Sequence, residues 1–257
     1  MNQEIKISSI ILAKDEEHNI ARCIDSQNGC VDEIIVIVDS RTCDNTVEIL
    51  KKKNVLYEVT EWQGYSRTKQ YALKKATHDW VLWIDADEAL TPELCREISD
   101  FKKTRPAHQA YSIPRKANFL GRWIMHSGWY PGRVVRLFDK NSADFSDKDV
   151  HEHLVISGGV GKLNSDLEHY TDPSIKHYFN KFNIYTTLAA EELYKKNKNV
   201  SIKDIILRPA FLFFKMYILK AGFLDGLHGF ILAIFSSAYV FTKYCKLWEM
   251  KKEKGKE

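Results

Sequence analysis

The chain has 257 residues, of which 44% are hydrophobic and 28% charged, and its net charge is +4. That length holds one large domain, or one domain with an appendage, and the composition excludes wholesale disorder. The charge is too weak to indicate nucleic acid, and no nucleic-acid partner is expected.

Five cysteines, Cys23, Cys30, Cys43, Cys95 and Cys245, lie scattered without CxxC spacing. This fits a reducing compartment and argues against a zinc site built from them. The opening Met1-Asn2-Gln3-Glu4 shows no basic region followed by an apolar stretch, so the expected compartment is the cytoplasm.

Residues 5–13 are apolar and β-branched, the pattern of a buried strand. Residues 16–27 carry Ile20, Cys23 and Ile24 at helical spacing. A second apolar strand over 33–38 ends at Asp39, and a polar turn, Ser40 to Asn45, leads into a helix that runs to Lys53. Residues 54–59 read as a third strand, 66–77 as a helix, and 79–84 as a fourth strand ending at Asp85. Thr91-Pro92-Glu93 opens another helix, with Thr as cap and Pro at the first helical position. Strands alternating with helices predict a mostly parallel sheet flanked by helices.

From residue 108 the pattern changes to shorter strands, in QAYSIPR, RVVRLF and HEHLVIS, separated by Gly- and Pro-bearing turns. Residues 173–197 read as helical, and 203–248 are rich in Phe, Leu, Ile and Tyr. The reading is an α/β domain over 1–170, whose pattern changes between the halves 1–107 and 108–170. A helical C-terminal extension follows over 171–257.

In open α/β sheets, ligands bind beyond the carboxyl ends of the strands. Asp15-Glu16, Asp39 and Asp85-Asp87 each follow a predicted strand, so they should gather on one rim. Two carboxylates separated by the small Ala86 can face one cavity, and hard oxygen ligands suit Mg²⁺ or Mn²⁺ bound to phosphate oxygens. Asp39 could accept hydrogen bonds from a base or ribose, or could simply form an Asx turn. Lys69 and Arg67, near the start of the 66–77 helix, could meet phosphate or be solvated. Arg133 and Arg136, beside Trp129-Tyr130, suit sugars or anionic groups, or are surface residues around an aromatic core. Gly158-Gly159-Val160-Gly161-Lys162 lacks the Ser/Thr of a phosphate loop, and Gly161 is expected in a turn.

The strings SSIILAKDEEHNI, VDEIIVIVDSRTCDNT and WVLWIDADEAL resemble family 2 glycosyltransferases of the GT-A fold. The later strings GWYPGRVVRLF, VHEHL, HYFNKFNIYTTLAAEE and FFKMYILKAGFLDG resemble the bacterial lipopolysaccharide core glucosyltransferases that act on inner-core heptose. The resemblance implies an inverting hexosyltransferase that uses a UDP-sugar, UDP-glucose in this subgroup, with a lipopolysaccharide core or other lipid-linked glycan as acceptor. It assigns Asp15, Glu16 and Asp39 to the nucleoside, Lys69 to the ribose or phosphates, and Asp85 and Asp87 to metal and donor. Relatives place an acidic base downstream, and the nearest match here is Glu152. Two rival readings remain: a family 2 transferase for another bacterial surface glycan, and an inactive nucleotide-binding scaffold.

Residues 226–242 form an uncharged run slightly short for a membrane span, and the aromatics and lysines around it suit a helix at the bilayer interface. A core helix competes with that reading. The expected location is the cytoplasmic face of the inner membrane, with peripheral contact.

Overall fold

The computed structural model describes residues 4–145 and 154–254. The elements run β1 (Ile7–Ala13), α1 (Ile20–Asp25), β2 (Glu33–Asp39), α2 (Thr46–Lys53), β3 (Leu56–Thr60), α3 (Tyr65–Lys75), β4 (Trp80–Asp85), β5 (Glu88–Leu90) and α4 (Pro92–Phe101). Then come β6 (Ala110–Ile113), β7 (Arg115–Phe119), β8 (Arg122–Ile124), β9 (Val134–Asp139), β10 (Ala143–Phe145), β11 (Leu154–Ile156), β12 (Val160–Lys162) and β13 (Leu167–Asp172). Three helices close the chain: α5 (Ile175–Lys195), α6 (Ile202–Phe214) and α7 (Gly226–Lys254). Two compact units result, residues 1–115 with 132–170, and residues 116–131 with 171–257.

In the first unit the described strands form a sheet in the order β12-β6-β9-β4-β1-β2-β3. The pairs β4–β1, β1–β2 and β2–β3 are parallel, while β9 runs antiparallel to both β4 and β6. The sheet is therefore mixed but rich in parallel strands, as the alternation of strand and helix predicts. Strand side chains alternate between faces. Ile7, Ile11, Val36, Val38, Leu82 and Ile84 pack in one core with Ile20, Leu50, Leu94 and Ile98 from α1, α2 and α4. Ile10, Ile35, Ile37 and Val81 face the other side and pack with Ala72 of α3 and Phe138 of β9. Both faces are covered, which is why these strands read as continuous apolar runs.

The α4 cap forms as predicted: Thr91 Oγ1 accepts from Leu94 N at 3.2 Å, with Pro92 at the first helical position. Gly161 departs from expectation, because it lies within β12 rather than in a turn. A Cβ there would sit 2.5 Å from the Tyr111 ring, so the glycine permits close strand packing.

The second unit is built around α7, which packs on α5 and α6. Leu232 and Ala233 join Leu212 and Phe213 of α6, and Tyr244 and Leu247 join Leu193 and Tyr194 of α5. The Gly222–Lys252 stretch is long and apolar enough to cross a membrane by length and composition alone, with a mean hydropathy of 1.5. Buried Asp225, just before α7, accepts from the backbone N–H groups of Met125 at 3.2 Å and His126 at 2.9 Å, which anchors the segment after β8.

Candidate functional site

Strand register sets the site. Leu12 of β1 lies opposite Ile37 of β2 and opposite Asp85 of β4, so the carboxyl ends of the three strands are level. Asp15-Glu16, Asp39 and Asp85-Asp87 therefore leave the sheet along one edge. An open hollow lined by Asn28, Asp32, Asn54 and His78 lies at the opposite edge, by the amino ends of β2 and β3.

The loops after β1 and β2 are stitched together. Asp15 takes a left-handed conformation with φ of 53°, and its Oδ1 accepts from Cys43 N at 2.8 Å. Glu16 N donates to Thr46 Oγ1 at 2.8 Å, and Glu16 Oε2 accepts from Asn19 Nδ2 at 2.8 Å.

Asp39, buried at the end of β2, makes the Asx turn, with Oδ1 accepting from Arg41 N at 3.0 Å. The Arg41 guanidinium also grips both carboxylate oxygens, at 3.0 and 2.7 Å. These hydrogen bonds hold the Asp39 carboxyl below the usual carboxylate range. The Arg41 side chain is itself largely exposed.

The Asp85-Ala86-Asp87-Glu88 turn rests on residues that local sequence patterns do not connect. Arg136 of β9 is buried and donates to Asp85 Oδ2, and to Glu88 Oε1 at 2.7 Å. Glu88 also accepts from Asp85 N at 3.0 Å and from Arg115 Nη1 at 3.2 Å. Burial works against the Arg136 charge, but the Asp85 and Glu88 carboxylates overcome it and raise its pKa. Asp87 pairs with His169 of β13 at 3.2 Å, and its carbonyl accepts from Tyr170 N at 2.8 Å.

The buried Cys23 thiol contacts the Asp85 carbonyl at 3.6 Å. Its pKa is pushed up by burial first, then by Glu88, Asp87, Asp85 and Glu16.

Lys69 is not on the surface, as a lone helical cation would be; it is buried with Nζ 4.0 Å from the centre of the Trp83 ring. The Arg136 guanidinium lies 4.5 Å from the same ring. Arg67 is exposed. Arg133 binds the carbonyls of Ser112 and Leu163 at 3.1 and 2.9 Å, a structural role, so neither Arg133 nor Arg136 is simply solvated. Glu152 lies outside the described residues.

No group of three or more His, Cys, Asp or Glu among the described residues forms a metal cage. Mg²⁺ and Mn²⁺ ask for less, often one or two carboxylates with water and phosphate completing the shell. The Asp85 and Asp87 side chains, 40% and 20% exposed, fit that smaller demand.

A parallel-rich mixed sheet with an acidic row at its carboxyl edge is a GT-A-like fold. The chain belongs to glycosyl transferase family 2, whose family model matches residues 8–159. An uncharacterized glycosyltransferase of Rickettsia typhi is 32% identical over 95% of this chain and 87% of its own length. The lipopolysaccharide core biosynthesis glycosyltransferase LpsC of Rhizobium meliloti is 28% identical over 97% of this chain and 94% of its own length. Among solved structures, a mannosyltransferase from Pyrobaculum calidifontis in complex with GDP-Man and Mn²⁺ shares the fold. It has a TM-score of 0.54 and 13% identity, over 96% of this chain and 88% of that one.

Proposed function

We propose that this glycosyltransferase moves a hexose, glucose from UDP-glucose, onto a heptose of the lipopolysaccharide inner core with inversion. The observation that carries the reading is the level row of acids at the ends of β1, β2 and β4. The similarity to LpsC over nearly the whole chain supports a lipopolysaccharide core acceptor. Such an acceptor is lipid-linked, which puts the reaction at the cytoplasmic face of the inner membrane.

In this reading Asp15, Glu16 and Asp39 receive the nucleoside, with Arg41 giving up its grip on Asp39 as the donor enters. Lys69 serves the ribose or phosphates. Asp85 and Asp87 hold Mg²⁺ or Mn²⁺ on the diphosphate, and Arg136 and His169 orient those carboxylates. When bound, the cation stabilises negative charge on the departing diphosphate.

The acceptor hydroxyl oxygen attacks the anomeric carbon from the side opposite the diphosphate. A carbon–oxygen bond forms, and the bond to the phosphate oxygen breaks with its electron pair leaving on the diphosphate. The hydroxyl proton passes to a carboxylate acting as general base, and Glu152 is the residue assigned to that task. No covalent sugar–enzyme intermediate is needed.

The scaffold reading draws on one observation: Arg41 and Arg136 already occupy Asp39 and Asp85. Donor turnover separates the two. Purified protein with Mn²⁺ should release UDP from UDP-glucose, and faster when heptose-terminated core is added. No release from any sugar nucleotide would leave the scaffold.

A further inference from the structure

Helix α6 is apolar on two sides. Its inner side, Ile205, Pro209, Leu212 and Phe213, packs within the second unit. Its outer side shows Ile202, Ile206, Leu207, Phe211 and Phe214 to solvent, with Ile202 73% and Phe211 60% exposed. The exposed strip continues through Ile218 and Leu219 to Phe223, Leu224 and Leu227 at the start of α7. An apolar strip this long on an exposed helix marks an interaction surface.

The charges beside the strip say which partner. Residues 203–220 carry Lys203, Arg208, Lys215 and Lys220 against a single acid, Asp204, which is already paired to Arg208 at 2.5 Å. At the amino end of α6 a hollow of about 490 Å³ is lined by Lys198, Ser201, Lys203, Arg208, Leu207 and Phe211, together with Asp204, whose carboxylate is taken up by Arg208 and Ser201. Cations and apolar side chains around one hollow match a phosphate headgroup and the acyl chains below it. A second copy of the chain fits poorly, since a two-fold pairing of this face would bring the same cations together.

We propose that the outer face of α6, with the turns that lead into α7, docks on an anionic phospholipid bilayer, and that the hollow at Lys198 and Lys203 receives a lipid phosphate. This deepens the lipid-linked acceptor reading and rests on it for the purpose of docking. Phe211 and its neighbours enter the headgroup boundary, while the lysine stems lie along apolar surface with their ammonium groups at the phosphates.

The test is vesicle flotation of the full chain without sugar nucleotide, so that docking and transfer fail independently. Phosphatidylcholine vesicles with and without phosphatidylglycerol are compared. The protein should float with the anionic vesicles, less so as salt rises, and alkaline carbonate should release it. Leu207→Ser with Phe211→Ser should weaken binding more than tenfold. Lys198→Gln with Lys203→Gln should cost roughly 30-fold on anionic vesicles, with little change on neutral ones. All four side chains are exposed, and circular dichroism checks each variant; should the serine pair misfold, the glutamine pair carries the test. No flotation of the parent chain, flotation of both variants equal to the parent's, or retention after carbonate would overturn the proposal. So would a concentration-dependent dimer that is lost in the Phe211 variant and shows no vesicle binding.

Discussion

Glu88 and Arg136 form a buried ion pair at 2.7 Å that links the acidic turn after β4 to the antiparallel strand β9. The same guanidinium reaches Asp85, so the geometry of a proposed donor carboxylate depends on a cation from the later part of the chain. Removing one partner of such a pair leaves a buried charge short of its counter-ion. Glu88→Gln should therefore destabilise the protein by about 3–5 kcal/mol, read as a lower midpoint of chemical denaturation. A loss under about 1 kcal/mol, the range of a surface pair, would mean Arg136 is well satisfied without Glu88.

Asp39 and Arg41 make a competition that calorimetry can read. Asp39→Ala should weaken UDP binding more than it slows the chemical step, because its contact is made in the ground state. Arg41→Ala frees the carboxylate and should leave UDP affinity equal or tighter. Unchanged affinity in Asp39→Ala would return Asp39 to the Asx turn alone.

Much of this was legible in the sequence. The strands β1, β2 and β4 are buried on both faces, so their apolar runs stand out; β2 and β4 end in Asp39 and Asp85, and Asp15 follows β1 by two residues. The Thr91-Pro92 start of α4 was legible because capping is local. Long-range partners were not: nothing local in RVVRLF says that Arg136 lies beneath the Asp85 turn, or that His169 of β13 meets Asp87. Helical spacing leaves Lys69 open between phosphate contact and solvation, because it does not reveal the Trp83 ring from another strand. The antiparallel entry of β9 was equally hidden, since a six-residue apolar strand has no direction in its composition. Residues 116–131 group with the C-terminal helices, a partnership set by tertiary packing rather than by order in the chain.

Asp204 gives a pH test within the second unit. It sits at the third position of α6, where it accepts from Ser201 N at 3.0 Å and from Ser201 Oγ at 2.8 Å. Burial opposes its charge, but the Ser201 and Arg208 hydrogen bonds prevail and lower its pKa. A depressed carboxyl stabilises the fold above its unfolded pKa, near 4, and that contribution fades as pH falls through the folded value. Asp204→Asn should cost about 1 kcal/mol at pH 7, and the difference should shrink below about pH 4. A difference that stays constant or grows on acidification would contradict the capping account.

Divalent metal and the acid pair should rise and fall together. Asp87→Ala should fold normally and lose nearly all transfer, and excess chelator should do the same to the parent protein until Mn²⁺ is restored. Binding of Mn²⁺ in the presence of UDP, followed by the paramagnetic signal of the free ion, should weaken in the variant. Full transfer in chelator would remove the metal from the reaction.

Glu152→Gln keeps the side-chain shape and removes the proposed base. Turnover should fall by about 10²–10⁴-fold, with UDP affinity nearly unchanged. Asp149 is an acid three residues before Glu152 in the sequence; if Glu152→Gln turns over normally while Asp149→Asn does not, the base is Asp149.

The most direct measurement is the product itself. The protein is incubated with a panel of UDP-sugars and with lipopolysaccharide cores truncated at successive inner-core residues, and the product is read by mass and linkage. The account predicts one hexose from UDP-glucose added to a heptose, with the anomeric configuration inverted relative to the donor. Transfer to a different glycan, retention of configuration, or no product from any donor and core would contradict it.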